Sequence, residues 1–269
     1  MMTLNVGPFP VPVSHLIIGL SFGLSLLVGW RLGRRDQLNP ENYIFFLLFV
    51  GLITARLAFV AVYFEHFADQ PWRVIDIRDG GFIAWVGVLA ALLLAAVLAW
   101  RKVRLRRSLG AAVGAGLLSW ALMSYVLFAL TGATRLPEFG LRDVQGQAVS
   151  LQDYVGKPLV INLWATWCPP CRREMPVLAE AQQAMPGVTF LFVNQGESVQ
   201  EVEKYLATEA LQLNNVLLDS GARLGQHIGS TALPTTLFYD RNGYQVGSHL
   251  GELSRASLAQ ALKQLDSKD

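Results

Sequence analysis

Four long apolar segments constrain the fold of this chain more than any other feature of its sequence. Each is close to the about 20 residues that an α-helix needs to cross the hydrocarbon core of a bilayer. They lie at residues 11–30, 43–64, 81–100 and 109–130. We predict that residues 1–133 form an all-α domain of four transmembrane helices. The first segment has no Lys or Arg before it and no clear cleavage pattern, so we expect it to stay attached rather than act as a signal peptide.

The charges between the apolar segments predict the direction in which the chain crosses the membrane. Short cytoplasmic loops accumulate Lys and Arg. The first loop carries Arg31, Arg34 and Arg35, and the third carries five basic residues over positions 101–107, whereas the second loop mixes acids with bases. Because four spans return the chain to the side on which it began, we predict a multi-pass protein of the bacterial cytoplasmic (inner) membrane whose C-terminal half is periplasmic.

Composition changes sharply between the two halves of the chain. Residues 1–133 carry a net charge of +5 and the remaining residues a net charge of −3. The basic surplus lies in membrane loops, so we expect the lipid bilayer, and no nucleic acid, as a partner. From residue 134 onward short apolar runs alternate with amphipathic stretches, which predicts a second, α/β domain over residues 134–269. We predict strands at 159–164, 188–194 and 235–240 and helices near 199–209 and 255–265.

The chain has two cysteines, and both stand in one Trp-Cys-Pro-Pro-Cys motif directly after a predicted strand. A helix that starts there would place its positive N-terminus on a thiolate. We therefore predict Cys168 as the nucleophile and Cys171 as the resolving thiol of a redox-active disulfide. No His pair has metal-ligand spacing, and Arg172 stands where haem attachment needs His, so we predict no metal site and no cofactor.

Residues 162–176, which read NLWATWCPPCRREMP, closely resemble the membrane-attached extracytoplasmic thioredoxins of the TlpA/ResA type. The resemblance runs from about Leu136 to the C-terminus. It implies an α/β thioredoxin fold, with a central mixed sheet flanked by helices, and thiol:disulfide oxidoreductase activity.

The same resemblance implies roles for two residues far from the cysteines in sequence. Pro234 matches the cis-proline of the family, which lies against the cysteine pair. It would leave the backbone of Leu233 free to pair with substrate like an added strand. The alternative is an ordinary trans proline at the start of a strand.

Three residues near the cysteines also have counterparts in the family. Glu174 matches an acidic residue that tunes the thiols, either by taking the proton of Cys171 or by raising a thiol pKa; the alternative is a solvated side chain on the helix surface. Asn162 stands where cytoplasmic thioredoxins carry a buried Asp, so proton transfer through that position is closed. We expect Trp167 to touch substrate.

Residues 51–63 and 77–81 resemble the N-terminal part of prolipoprotein diacylglyceryl transferases. The His-Gly-Gly and Gly-Arg-x-Gly-Asn-Phe signatures of that family are absent, so we expect an anchoring or docking scaffold rather than a transferase. Arg56 lies inside the second span, where a charge costs about 2.5–3.5 kcal/mol on translocon scales. It is either a functional residue or an interhelical contact.

Three functions remain open from the sequence. The resemblance favours a disulfide reductase for exported proteins, for example in cytochrome c biogenesis, where it would open the disulfide of apocytochrome c. With a single cysteine pair, it would need a separate membrane electron donor. The alternative is a periplasmic disulfide oxidase or isomerase that acts on exported protein thiols or disulfides. The oxidase would need a membrane electron acceptor. A diacylglyceryl transferase-like membrane protein with an appended thioredoxin module is the third.

Overall fold

A computed structural model describes residues 3–6, 9–34, 39–68, 71–131 and 134–266. Arg35 and the predicted domain boundary at residue 133 lie outside these ranges. The chain forms two compact units. One contains the described residues of 13–75 and 81–131; the other contains the N-terminal strands, residues 76–80 and the described residues from 134 onward.

The first unit is built from long apolar helices. Within the described part of the chain, four helices are long and apolar enough to cross a membrane. This confirms the four-helix prediction, with helix bounds a few residues from those expected. The helices are α1 (Val13–Gly33), α2 (Pro40–Val62), α3 (Ala84–Arg101) and α4 (Arg106–Thr131).

Small residues allow the membrane helices to approach closely, as is usual for helices that pack within lipid. A Cβ atom added to Gly87 on α3 would lie 2.4 Å from the carbonyl oxygen of Gly51 on α2. Glycine at position 87 is therefore required for this packing. On α1 and α4, the hydroxyl of Ser21 donates a hydrogen bond to Ser119 across 3.4 Å.

Arg56 on α2 is buried and bonds to backbone carbonyls. Its guanidinium donates to the oxygens of Arg73 (2.9 Å), Val74 (3.0 Å) and Gly81 (2.8 Å). These carbonyls belong to the segment that joins α2 to α3, so Arg56 holds that segment in place. Of the two roles considered for Arg56, the contacts favour the structural one.

The second unit contains a seven-stranded mixed sheet within the described residues, in the order β4-β3-β7-β6-β5-β8-β9. Strands β5, β6 and β7 are parallel, and β8 is antiparallel to both β5 and β9. A separate N-terminal hairpin is made of β1 (Thr3–Val6) and β2 (Phe9–Pro12). The sheet strands are β3 (Gly140–Asp143), β4 (Ala148–Ser150), β5 (Leu159–Trp164), β6 (Thr189–Gln195), β7 (Val216–Asp219), β8 (Thr235–Tyr239) and β9 (Gln245–Leu250).

The helices of this unit complete a thioredoxin fold, which confirms the predicted fold class. They are α5 (Pro169–Ala184), α6 (Val199–Thr208), α7 (Arg223–His227) and α8 (Arg255–Asp266). All six residues of β5 are buried, as expected of a central strand covered on both faces. Val160 and Trp164 pack into the same apolar core as both cysteines, whereas Leu159, Ile161 and Leu163 pack into a second core. Strand β5 is thereby fixed from both sides and leads directly to the cysteine motif.

Candidate active site

The cysteine pair lies at the start of α5, as the sequence predicts. Cys168 is the N-cap residue, and Pro169 and Pro170 occupy the first helical positions, where a backbone N–H has no helical partner to lose. A disulfide joins Cys168 to Cys171, with their Cα atoms 5.3 Å apart. Cys168 is 3% exposed and Cys171 is fully buried. Both cysteines are therefore buried in the oxidised form, with Cys168 slightly more exposed than Cys171.

One backbone N–H of α5 points at the sulfur of Cys168. The N–H of Cys171 lies 3.3 Å from Cys168 Sγ, and the N–H of Arg172 donates to the Cys168 carbonyl. Unpaired N–H groups and the positive end of the helix dipole stabilise an anion at this position. After reduction, this geometry favours a thiolate on Cys168 over one on Cys171.

Glu174 is fully buried in the core beneath the cysteine motif, so the alternative of a solvated side chain is wrong. Its Oε1 accepts a hydrogen bond from Asn162 Nδ2 at 2.7 Å, and its Oε2 accepts one from the N–H of Leu253 at 2.9 Å. Burial raises the pKa of Glu174 to about 8, although the two hydrogen bonds act in the opposite direction. Glu174 can therefore gain or lose a proton near neutral pH.

Asn162 links Glu174 to the neighbouring strand. Its Nδ2 also donates to Thr236 Oγ1 at 2.9 Å, while its buried Oδ1 has no hydrogen-bond partner among the described residues. The amide positions the carboxyl group of Glu174 but has no titratable proton of its own.

Pro234 lies at the same end of the sheet as the cysteines. Strand β8 runs antiparallel to β5 with Thr235 opposite Leu163, so the start of β8 lies beside the end of β5. The Leu233–Pro234 peptide bond is cis, as the family resemblance implied. The backbone N–H and C=O of Leu233 have no hydrogen-bond partner within the described ranges. They remain available to an extended peptide.

Two tryptophans flank the motif in different environments. Trp164 is fully buried, with its ring 5.5 Å from that of Tyr205, whereas Trp167 is 68% exposed immediately before Cys168. Trp167 is therefore a large apolar surface beside the reactive sulfur.

Sequence reasoning missed a buried carboxylate on the other side of the motif. Glu197 accepts hydrogen bonds from the N–H and hydroxyl of Thr166 and from Asn194 Nδ2. A signal was present, because Glu197 stands three residues after the end of the predicted strand at 188–194. Functional side chains of parallel sheets collect at the carboxyl ends of the strands. Among the described residues, no group of three or more His, Cys, Asp or Glu is placed to hold a metal ion.

Comparison with known proteins matches the two halves of the chain to two different families. The model of the Redoxin family matches residues 131–265, and that of the prolipoprotein diacylglyceryl transferase family matches residues 1–124. Thiol-disulfide oxidoreductase ResA of Geobacillus thermodenitrificans is 34% identical over 131 residues, which are 48% of this chain and 75% of the relative. Thioredoxin-like protein YneN of Bacillus subtilis is 31% identical over 47% of this chain and 75% of its own length. A solved structure, a putative thiol:disulfide interchange protein DsbE from Chlorobium tepidum, is 26% identical, with a TM-score of 0.45 over 50% of this chain and 95% of that one.

Proposed function

The chain belongs to the Redoxin family and is a thiol:disulfide oxidoreductase, and from that premise we propose that it is a membrane-anchored reductase of disulfides in exported proteins. The observation that carries the proposal is the placement of Cys168 at the N-cap of α5, joined to a fully buried Cys171. This arrangement places one sulfur at the start of the helix, next to the exposed Trp167, and the other in the interior of the domain.

The reaction begins with the reduced pair. The Cys168 thiolate attacks one sulfur of a substrate disulfide, forms a mixed disulfide and releases the other substrate sulfur as a thiolate. Cys171 loses its proton and attacks Cys168 Sγ, which releases the second substrate sulfur as a thiolate. Two electrons have then moved to the substrate, and the enzyme holds the Cys168–Cys171 disulfide.

Glu174 is the proton acceptor that the buried site offers to Cys171. It lies three residues after Cys171 on α5, a spacing that brings side chains onto the same helix face. Its pKa of about 8 is close to the ordinary thiol value of about 8.5, so a proton can pass between the two groups at little cost. The ionised carboxylate also disfavours a second negative charge on Cys171 until that thiolate attacks.

Substrate is held by exposed groups around the reactive sulfur. An extended segment beside the disulfide would pair with the free backbone of Leu233, next to the cis Pro234, as an added strand. The exposed ring of Trp167 would cover the apolar side chains of the same segment. Both contacts are independent of substrate charge, which suits a reductase that acts on several exported proteins.

The predicted orientation supports a periplasmic location for the redox domain. The basic loops of the membrane unit are predicted to be cytoplasmic, and this unit has four helices that are long and apolar enough to cross a membrane. Both cysteines of the chain are used in one pair. Electrons must therefore come from a separate membrane donor, and disulfide formation in exported proteins provides the substrates.

The in-cell redox state of Cys168 and Cys171 tests this proposal. Cells are quenched with acid, free thiols are alkylated with a mass tag, and the protein is resolved by gel shift. A mostly reduced pair is expected, because a donor must maintain it against an oxidising compartment. A mostly oxidised pair would contradict the reductase and favour a disulfide oxidase. Failure of the purified reduced protein to open the disulfide of an apocytochrome c peptide would remove that substrate.

A further inference from the structure

We propose that Glu197 is a positioning residue that holds Cys168 in its reactive place at the N-cap of α5. The inference rests on the proposed function, and it assigns a role to a carboxylate outside the cysteine motif and outside the Glu174 cluster. Glu197 lies 29 residues after Cys168, in the turn between β6 and α6.

The contact is made to the segment that precedes the reactive cysteine. Glu197 Oε2 accepts the backbone N–H of Thr166 at 2.7 Å, and its Oε1 accepts the Thr166 hydroxyl. Asn194, the penultimate residue of β6, donates its Nδ2 to the same Oε2 at 2.6 Å. One carboxylate thus ties Thr166, two residues before Cys168, to the neighbouring parallel strand. Hydrogen bonds to an ionised group are the strong class.

Glu197 is itself held firmly by the backbone on both sides. Gly196 adopts φ +79°, which favours glycine, and donates its N–H to the carbonyl of Asp219 at 2.9 Å. Ser198 is the N-cap of α6 and forms a capping box with Glu201. The turn therefore has little freedom, and Glu197 is 9% exposed.

Ala165, at the start of the segment between β5 and α5, is buried in the apolar core, but the segment has few other hydrogen bonds. Apart from the bonds to Glu197, the described contacts of residues 165–167 include the N–H of Cys168 donating to the carbonyl of Ala165 at 3.3 Å. Trp167 is mostly exposed and does not fix the segment. Loss of the carboxylate would release Thr166 and shift Cys168 Sγ relative to the N–H of Cys171. The thiolate would lose part of its stabilisation, which raises the pKa of the Cys168 thiol. Loss of the carboxylate charge acts in the opposite direction, but this loss is common to Glu197→Ala and Glu197→Gln, so their comparison isolates the positioning effect.

The test measures Cys168 alkylation against pH in the full-length protein in detergent. The Cys171→Ala background leaves Cys168 as the sole thiol. Three variants are compared in that background: Glu197→Ala, Glu197→Gln and Glu203→Ala. Glutamine can accept the Thr166 N–H and the Asn194 amide with its oxygen and donate to the Thr166 hydroxyl with its nitrogen. Glu203→Ala is the matched control, since it removes an exposed carboxylate from α6 outside the capping box.

We expect Glu197→Ala to slow alkylation at pH 7 roughly tenfold, below the about 100-fold that a 1 Å misplacement can cost, and to move the profile to higher pH. Glu197→Gln should stay near the parent, and so should Glu203→Ala. A purely structural role would lower the melting temperature and leave the profile in place. An unchanged profile in Glu197→Ala, or an equal change in Glu203→Ala, would overturn the proposal.

A second pair of variants covers the case in which Glu197→Ala does not fold. Thr166→Val removes the hydroxyl and keeps the backbone N–H, while Thr166→Ser keeps both donors. We expect Thr166→Val to shift the alkylation profile in the same direction by a smaller factor and Thr166→Ser to leave it in place; equal profiles would contradict the proposal. Alkylation needs no substrate, so a failed reductase assay with intact Glu197 would count against the proposed function alone.

Discussion

Replacing Glu174 by glutamine should make the redox domain more stable at alkaline pH. Burial raises the pKa of Glu174 from 4.5 to about 8, so ionisation of this group favours the unfolded chain. Below pH 4.5 the carboxyl is neutral in both states and does not lower the free energy of unfolding. As pH rises from 4.5 to about 8 the group lowers this free energy progressively, and above that interval the reduction is constant.

The size of the effect follows from the interval between the two pKa values. Each pKa unit corresponds to about 1.4 kcal/mol, so the penalty reaches roughly 5 kcal/mol at high pH. Between pH 6 and pH 9 the free energy of unfolding of the oxidised wild-type domain should fall by about 3 kcal/mol through the ionisation of Glu174. Glutamine carries no titratable proton, so this decrease should be absent in the Glu174→Gln variant. Its new amide can donate to the unpartnered Oδ1 of Asn162 if the Asn162 amide rotates.

The assay is urea unfolding of the redox domain within the full-length protein, followed by proteolysis at a series of pH values. Glu180→Gln is the matched control, because Glu180 lies on the same helix with an exposed side chain that pairs with Arg255. The control should follow the wild-type pH dependence. If wild type and Glu174→Gln lost stability in parallel between pH 6 and pH 9, the raised pKa, and with it the proton-acceptor role, would be refuted.

Two further predictions address the cysteines and the membrane helices. Cys168→Ala should abolish disulfide exchange, whereas Cys171→Ala should accumulate a mixed disulfide with substrate on a non-reducing gel; absence of any such species would contradict the resolving role of Cys171. Gly87→Ala should lower the thermal stability of the membrane unit by several degrees, because the added methyl group would meet the carbonyl of Gly51 at 2.4 Å. Gly23→Ala, with open space around it, is the control, and equal melting temperatures for both variants would argue against close packing of α2 and α3.

The sequence predicted the elements whose pattern is strong over many residues. The four apolar helices and the fully buried strand β5 fall within a few residues of their expected bounds, because a helix suited to the hydrocarbon core of a bilayer and a strand buried on both faces each require a continuous apolar run. Strands β1, β2, β3, β4, β7 and β9 were not predicted. Strands β4 and β9 form the two edges of the seven-stranded sheet and contain no fully buried residue, so their apolar pattern is weak. Strands β3 and β7 lie inside the sheet but have only four residues each, which is too short for a pattern to stand out.

The residues of the candidate site could also be predicted to different degrees. Cys168 and Cys171 were identified because the chemistry is contained in a local motif, and their disulfide and helix position follow from adjacent residues. The burial of Glu174 was not decided by the sequence, since its position on α5 fits a solvated face as well as a buried one. The burial of Glu174 involves a contact with Leu253, 79 residues away, whose backbone N–H donates to the carboxylate. Such a contact depends on topology, which spacing within α5 does not report.

The two buried carboxylates near the motif differ in a way that explains why one was foreseen and the other was not. Glu174 accepts two hydrogen bonds, but burial outweighs them and raises its pKa to about 8, so it can exchange a proton. The family resemblance identified it at its position three residues after Cys171. Glu197 has three donors, two of them from Thr166, and its value lies in where it holds the chain. A positioning role depends on the meeting of two turns from parallel strands. The position of Glu197 after a predicted strand marks it as a candidate, but its contact with Thr166 becomes visible only once β5 and β6 are placed side by side.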